Sequence, residues 1–168
     1  NHPFPTPSGK IEIFSKRLYD MQHPEIPALS HYVPAHEGPE DELAKTFPLQ
    51  LITWKGKNRA NSTQYANPWL IEAQQQKLWI NPQDAQKRGI AQGDTVRIHN
   101  ARGICEIPAE VTPRIIPGVV AMQAGAWWQP DAQGIDKGGC ANVLSSARIT
   151  ALAKGNSHQT MLVEVAKA

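Results

Sequence analysis

The sequence predicts a mainly β domain, a barrel of short strands with small helices set around it. Three observations predict this fold. Several short runs carry the apolar continuity or alternation of strands, among them Leu49–Trp54 and Ile104–Val111. Helix signals are confined to brief stretches bounded by Pro, Asn and Gly. The chain also holds 14 Pro and 12 Gly in 168 residues, about 15% against about 12% in an average chain. Turns are therefore frequent and long helices few. No period of the kind that marks solenoids is present.

In chain order, residues 1–47 come first as a lead-in strap, with half of the prolines and four of the six histidines. Each Pro removes a donor and restricts its predecessor, so the run from His23 to Pro39 cannot hold a long helix. Only Lys10–Tyr19 reads as a short element. The segment is expected to lie over a domain or to end a preceding one. His31 and His36 have no Cys or second pair to complete a metal set and read as loop residues.

Residues 48–168 are expected to form the barrel. Leu49–Trp54 is a buried-strand pattern, followed by a polar loop from Lys55 to Asn67 and a short helix over Pro68–Gln76. Asn81-Pro82-Gln83-Asp84 then starts a helix that stops at Gly89. Asn81 can accept from free amides, Pro82 suits the first helical position, and Asp84 favours the dipole. Gly93–Asn100 alternates as a strand, Ala101-Arg102-Gly103 is a turn, and Ile104–Val111 returns as the second arm of a hairpin. Pro117–Met122 and Thr160–Val165 give two further strands. Loop and short helix are intermixed in the Gly-rich stretch between them, Gly125 to Gly155.

Composition narrows the function classes. At 40% hydrophobic the chain can bury a core, which excludes disorder of the whole. Charged residues make up 19%, below the usual level of about 25%, so part of the surface is expected to be covered by something else. The net charge of +2 gives no global signal for nucleic acid or membrane. No apolar run is long enough to span a bilayer, since Pro117 and Gly118 interrupt the best one. Cys105 and Cys140 are too few for a disulfide framework. The chain opens at Asn1 with no signal-peptide pattern and reads as a piece of something longer.

Familiar catalytic signatures fail. Ser8-Gly9-Lys10 lacks the rest of a P-loop, no GxGxxG follows a strand, and no GxSxG elbow occurs. Three polar clusters remain. The first, Lys55 to Gln64, combines three cations with Asn, Ser, Thr and Gln. It suits a pyrophosphate joined to a heterocycle, although on residue types alone a solvated hairpin loop is the simpler account. The second is Gly138–Ser146, flanked by Trp127-Trp128, and the third is Gly155–Gln159. Glycines there let a backbone approach a ligand, and Asn or Gln amides can read a heterocycle edge, but turn chemistry accounts for the same residues. Cys140 reads as a small buried residue.

Taken together, the motifs resemble a family. Thr6–Glu12 (TPSGKIE), Ile80–Val96 (INPQDA through GI to GDTV), Asn100–Gly103 (NARG), Pro117–Val120 (PGVV) and Asn142–Ser145 (NVLS) occur in order. They are similar to the C-terminal molybdopterin-dinucleotide-binding domain of the dimethyl sulfoxide reductase family. Ser145 departs mildly, standing where that family usually has Thr. The wording around Gly139–Ser146 and Gly155–Gln159 is most like the anaerobic, membrane-attached reductase catalytic subunits.

The resemblance implies a six-stranded double-psi β-barrel with small peripheral helices. It implies that the domain holds part of a bis(molybdopterin guanine dinucleotide) molybdenum cofactor. Thr53, Trp54, Lys55, Arg59, Asn61, Ser62, Thr63 and Trp127 would line it. Asn142 would bond a pterin edge, and Asn156, Ser157 and Gln159 would close the pocket. No metal ligand and no catalytic residue is expected in this chain. The metal would carry oxygen-atom transfer from a sulfoxide or N-oxide in anaerobic respiration, and a 4Fe-4S cluster is expected in an N-terminal part absent here. Implied partners are the rest of the subunit, an iron–sulfur electron-transfer subunit and a membrane anchor, on the periplasmic side of the inner membrane, with no nucleic acid. Two other readings stand beside it: a cofactor-free double-psi binding module, and a self-processing barrel enzyme, which would need a Gly-Ser pair that the sequence lacks.

Overall fold

Leu49 and Leu51 leave the first strand, β1 (Leu49–Trp54), on one face because successive side chains alternate, and both are buried. The same selection repeats in five more segments: β2 (Leu78–Ile80), β3 (Thr95–His99), β4 (Ile104–Val111), β5 (Val119–Gln123) and β6 (Met161–Lys167). In the computed structural model, which describes residues 2–156 and 159–168, these six close into one barrel in the order β1-β5-β2-β4-β3-β6. Leu51, Leu78, Ile80, Ile98, Met122 and Met161 are among the fully buried side chains that fill it. Closure leaves no sheet edge exposed to stray pairing.

Two pairs run parallel, β1 with β5 and β2 with β4, and antiparallel pairings link them through β2–β5, β3–β4, β3–β6 and β1–β6. This is the mainly β, double-psi arrangement that the resemblance implies. The residue pattern alone yields five of the six strands. β2 escapes it because three residues are too short to show a period, yet Leu78 and Ile80 are completely buried.

Peripheral helices follow their caps. Asn67 accepts from the amides of Trp69 and Leu70 to start α2 (Pro68–Ala73), which ends before the expected Gln76 because Gln74 is extended. Asn81 caps α3 (Pro82–Lys87) through the amide of Gln83 and also donates to the carbonyl of Ile115 at 2.7 Å. Asp84 does more than complement the helix dipole: it is buried and accepts the amide of Gly118 at 2.6 Å, tying α3 to the turn before β5. The short element expected at Lys10–Tyr19 lies slightly later, as α1 (Lys16–Met21), because Ser15 provides the cap. A 3-10 turn at Glu42–Lys45 is capped by Asp41.

The chain divides into two compact units, Asn1–Pro34 with Ile149–Gly155, and Ala35–Arg148 with Asn156–Ala168. The first holds α1 and a bridge between Phe14 and Leu29. The second holds the barrel. No helix among the described residues is long and apolar enough to cross a membrane.

On the barrel's outer face, the buried carboxylate of Glu106 receives Lys137 Nζ and Arg97, and these bonds hold its pKa below the usual value. A carboxylate with a depressed folded pKa stabilises the fold above its unfolded pKa of about 4.3 and loses that contribution as pH falls through the folded value. Glu106→Gln is therefore expected to destabilise the chain by a constant amount above about pH 5, the gap to the parent narrowing below about pH 4.3. Chemical unfolding across pH 3–7 measures it, and a gap unchanged at acid pH contradicts the assignment.

Candidate functional site

β1 and β5 run parallel and in register, Thr53 beside Met122 and Trp54 beside Gln123, so the loops that follow them leave the barrel side by side. Between those loops lies a cavity of about 120 Å³. Thr53 lines it from β1, Ser62 from the polar loop, and Ala124, Gly125 and Ala126 from the segment after β5. Its far wall is the 3-10 turn Ala141–Val143 with its flanks, which present Cys140, Asn142 and Ser145. Met161 of β6 closes the apolar floor. Hydroxyls, an amide and a close backbone thus surround a partly apolar slot, which suits the edge of a flat heterocycle.

Two of the three polar clusters converge here. Ser62 comes from the first, Asn142 and Ser145 from the second. The third is joined to Thr53 through Gln159, whose Oε1 accepts from the Thr53 amide at 2.9 Å while its Nε2 donates to Thr53 Oγ1 at 2.8 Å. Ser157 lies outside the described residues, and Asn156 is exposed.

Not every expected residue reaches the cavity. Arg59 lines a separate, smaller cavity of about 40 Å³, its guanidinium 5.1 Å from the centre of the Tyr65 ring. One of its terminal nitrogens donates to Gln76 Oε1, and its buried Nε has no partner among the described residues. Burial lowers its pKa, and Tyr65 opposes that shift. Lys55 bonds Asn61 at the surface, and Thr63 closes a turn onto the carbonyl of Ala60. Trp54 alternates away from Thr53 and packs on Trp79 with 5.0 Å between ring centres, beside a different cleft lined by Glu110 and Arg114. Trp127 lies against Tyr65 and donates from Nε1 to the carbonyl of Ser62 at 2.9 Å, so it braces the first loop. Cys140 is half-buried in the cavity wall instead of being a core residue, and burial raises its thiol pKa.

Several organising residues are not singled out by the sequence. Gln76 Nε2 donates to the carbonyls of Gln123 and Gly139, and its Oε1 receives Arg59, which joins the first cluster, β5 and the second cluster in one network. Buried Gln123 donates to Asn58 Oδ1 at 2.7 Å, and Tyr65 donates from its hydroxyl to the carbonyl of Gly138 at 2.8 Å. Gln76 sits in a run of three glutamines, and local sequence carries no signal that distinguishes it from its neighbours. No group of three or more His, Cys, Asp or Glu that could hold a metal ion occurs among the described residues.

A closed barrel whose loops meet around a partly apolar cavity suits a ligand-holding domain, and comparison with known proteins says which kind. The Molydopterin dinucleotide binding domain model matches residues 49–162, and the chain belongs to that family. It is 51% identical over 99% of its length to the dimethyl sulfoxide reductase DmsA of Escherichia coli (strain K12). It is also 35% identical over 99% of its length to the dimethyl sulfoxide/trimethylamine N-oxide reductase of Cereibacter sphaeroides. The chain spans 21% of the length of each of these two relatives. Acetylene hydratase from Pelobacter acetylenicus shares the fold, with a TM-score of 0.77 at 19% identity over 97% of this chain and 24% of that one.

Proposed function

We propose that this chain is the cofactor-holding C-terminal domain of a molybdenum oxidoreductase that reduces dimethyl sulfoxide or related S- and N-oxides. The observation that carries the reading is the convergence of Thr53, Ser62, Asn142 and Ser145 on one cavity. When bound, a bis(molybdopterin guanine dinucleotide) molybdenum centre supplies the two-electron oxygen-atom transfer. A slot of about 120 Å³ holds one edge of such a group, being well below the roughly 300–1,000 Å³ that encloses a whole ligand. The rest of the cofactor would lie against the other domains of the subunit.

The residues present fit that group. Asn142 offers a donor and an acceptor on one amide, the pairing that reads a pterin edge. Ser62 and Ser145 add hydroxyls that adapt to either role, and Gln159 fixes the rotamer of Thr53. Trp127 holds the first loop in place.

The reading extends by family likeness to a four-iron cluster in the N-terminal part of the subunit, an iron–sulfur electron-transfer subunit and a membrane anchor. It also extends to anaerobic respiration at the periplasmic side of the inner membrane. Its support is the match to relatives named dimethyl sulfoxide reductase. A cofactor-free module would leave the clusters as separate loops, which the meeting of the first two at one cavity disfavours.

The test is the whole catalytic subunit with Asn142→Ala or Asn142→Asp, which removes the amide donor and leaves only acceptors. Each variant is expected to lose most of its bound pterin and molybdenum, measured by elemental analysis and by the fluorescence of released pterin. Full occupancy in both variants would overturn the site.

A further inference from the structure

The Asn100–Gly103 turn, which the sequence presents as a plain hairpin connection, grips the cavity wall from behind. Asn100 Nδ2 donates to the carbonyl of Leu144 at 2.8 Å. Arg102 donates to the same oxygen twice, from Nε at 2.9 Å and from Nη2 at 2.7 Å. Three donors on one carbonyl exceed its two lone pairs, so this oxygen is a deliberate anchor point. Leu144 itself is completely buried. Gly103 lies so close beneath the wall that a Cβ there would sit 2.8 Å from the carbonyl of Val143.

The turn is held rigid in its own right. Asn100 Oδ1 accepts the Arg102 amide at 3.0 Å, and the Asn100 amide donates to the Gly103 carbonyl at 3.2 Å. The guanidinium is fixed a second time by Glu37, which is 2% exposed and takes Nη1 at 2.8 Å and Nη2 at 2.7 Å. Glu37 Oε2 also accepts the amide of Leu162 in β6. His36 Nε2 stands 3.5 Å from the other oxygen, Oε1. The C-terminal end of the wall is therefore held at the Leu144 carbonyl, and that carbonyl is tied through Arg102 to a carboxylate anchored on the barrel.

We propose that Arg102, locked by Glu37, is a positioning residue for the cofactor: through the Leu144 carbonyl it sets where Asn142 and Ser145 stand across the cavity. Leu144 is the next residue but one after Asn142, and Ser145 bonds back to the Asn142 carbonyl from its hydroxyl at 3.1 Å. A shift at Leu144 thus moves both cavity groups together. The inference rests on the reading of this cavity as the cofactor site.

The experiment uses the whole catalytic subunit and reads the rate at which pterin is lost, followed by its fluorescence, in Arg102→Lys, Asn142→Ala and the double variant. Lys keeps a cation for Glu37 but cannot present the guanidinium fork to Leu144. Arg102→Lys is expected to speed pterin loss about tenfold, as changes to the partners of ligand-holding groups do. The double variant is expected to fall well short of the product of the two single effects, since much of the Arg102 effect runs through Asn142. If Arg102→Lys does not fold, Asn100→Ser removes one donor from Leu144, leaves the ion pair intact and is held to the same criteria. A wild-type rate in Asn142→Ala overturns the site reading. A fast rate in Asn142→Ala with a wild-type rate in Arg102→Lys overturns the positioning role alone. So does multiplication of the two effects in the double variant, because a generally loosened fold acts independently of Asn142.

Discussion

Gly125→Ala is expected to empty the cofactor site while the barrel still folds. Gly125 has a φ of +88°, a conformation that costs an L residue roughly 1–3 kcal/mol. Strain is the smaller part. A Cβ there would lie 1.8 Å from the carbonyl oxygen of Asn61 and 2.2 Å from its carbon, both of them backbone atoms. That backbone has little freedom to retreat. Asn61 is itself left-handed at φ +53°, its side chain is bonded by Lys55, and the Ser62 carbonyl is held by Trp127. The two loops must separate, and Ser62 leaves the cavity wall. Gly134→Ala is the matched control. Its φ is +80°, yet a Cβ there meets nothing within 4 Å. It is expected to lose about 1 kcal/mol and keep its cofactor. Molybdenum content of the two variant subunits decides the matter, and equal occupancy would show that the Asn61 contact is irrelevant.

The second large effect is expected at Asp136. Its side chain is completely buried and organises the whole stretch from Gln129 to Cys140. Oδ1 accepts the amides of Gln129 at 2.8 Å and Gly138 at 3.1 Å, and Oδ2 accepts that of Cys140 at 2.6 Å. Its backbone exchanges bonds with Ile104 and Glu106, which fixes the stretch to β4. Asp136→Ala leaves three amides without their acceptor in a dry interior, where each orphan costs about 1–3 kcal/mol. The expected loss is about 3 kcal/mol or more in denaturant unfolding of this chain. Asp136→Asn keeps one acceptor oxygen and is expected to lose less. The site should suffer with the fold, because Gly138 and Gly139 supply the carbonyls that Tyr65 and Gln76 use. A loss under about 1 kcal/mol in Asp136→Ala would mean that the amides find water instead.

Much of this was legible in the residues. Apolar continuity or alternation placed β1, β3, β4, β5 and β6, and the Asn81-Pro82 pair placed α3, since caps and periods are local properties. The three polar clusters were also visible as compositional runs. Which members matter was not. Lys55, Asn61 and Thr63 offer hydrogen-bond donors as Ser62 does, yet of these four only Ser62 lines the cavity. Gln76, Asn58 and Asp136 organise the site through partners 17 to 65 residues away, or through a buried loop with no local signature.

By itself, the sequence determined the element types, their caps, a loop-rich mainly β architecture and, through five ordered motifs, the family. The tertiary structure alone decided that a three-residue strand completes the barrel and that two of its pairings run parallel. It alone turned the Asn100–Gly103 hairpin into the support of the cavity wall and set Glu37, from the Pro-rich lead-in, against Arg102. The physical reason is range. Periodicity and capping act within a few residues, whereas a carbonyl with three donors or a Cβ that collides exists only once distant backbones are brought within hydrogen-bond distance.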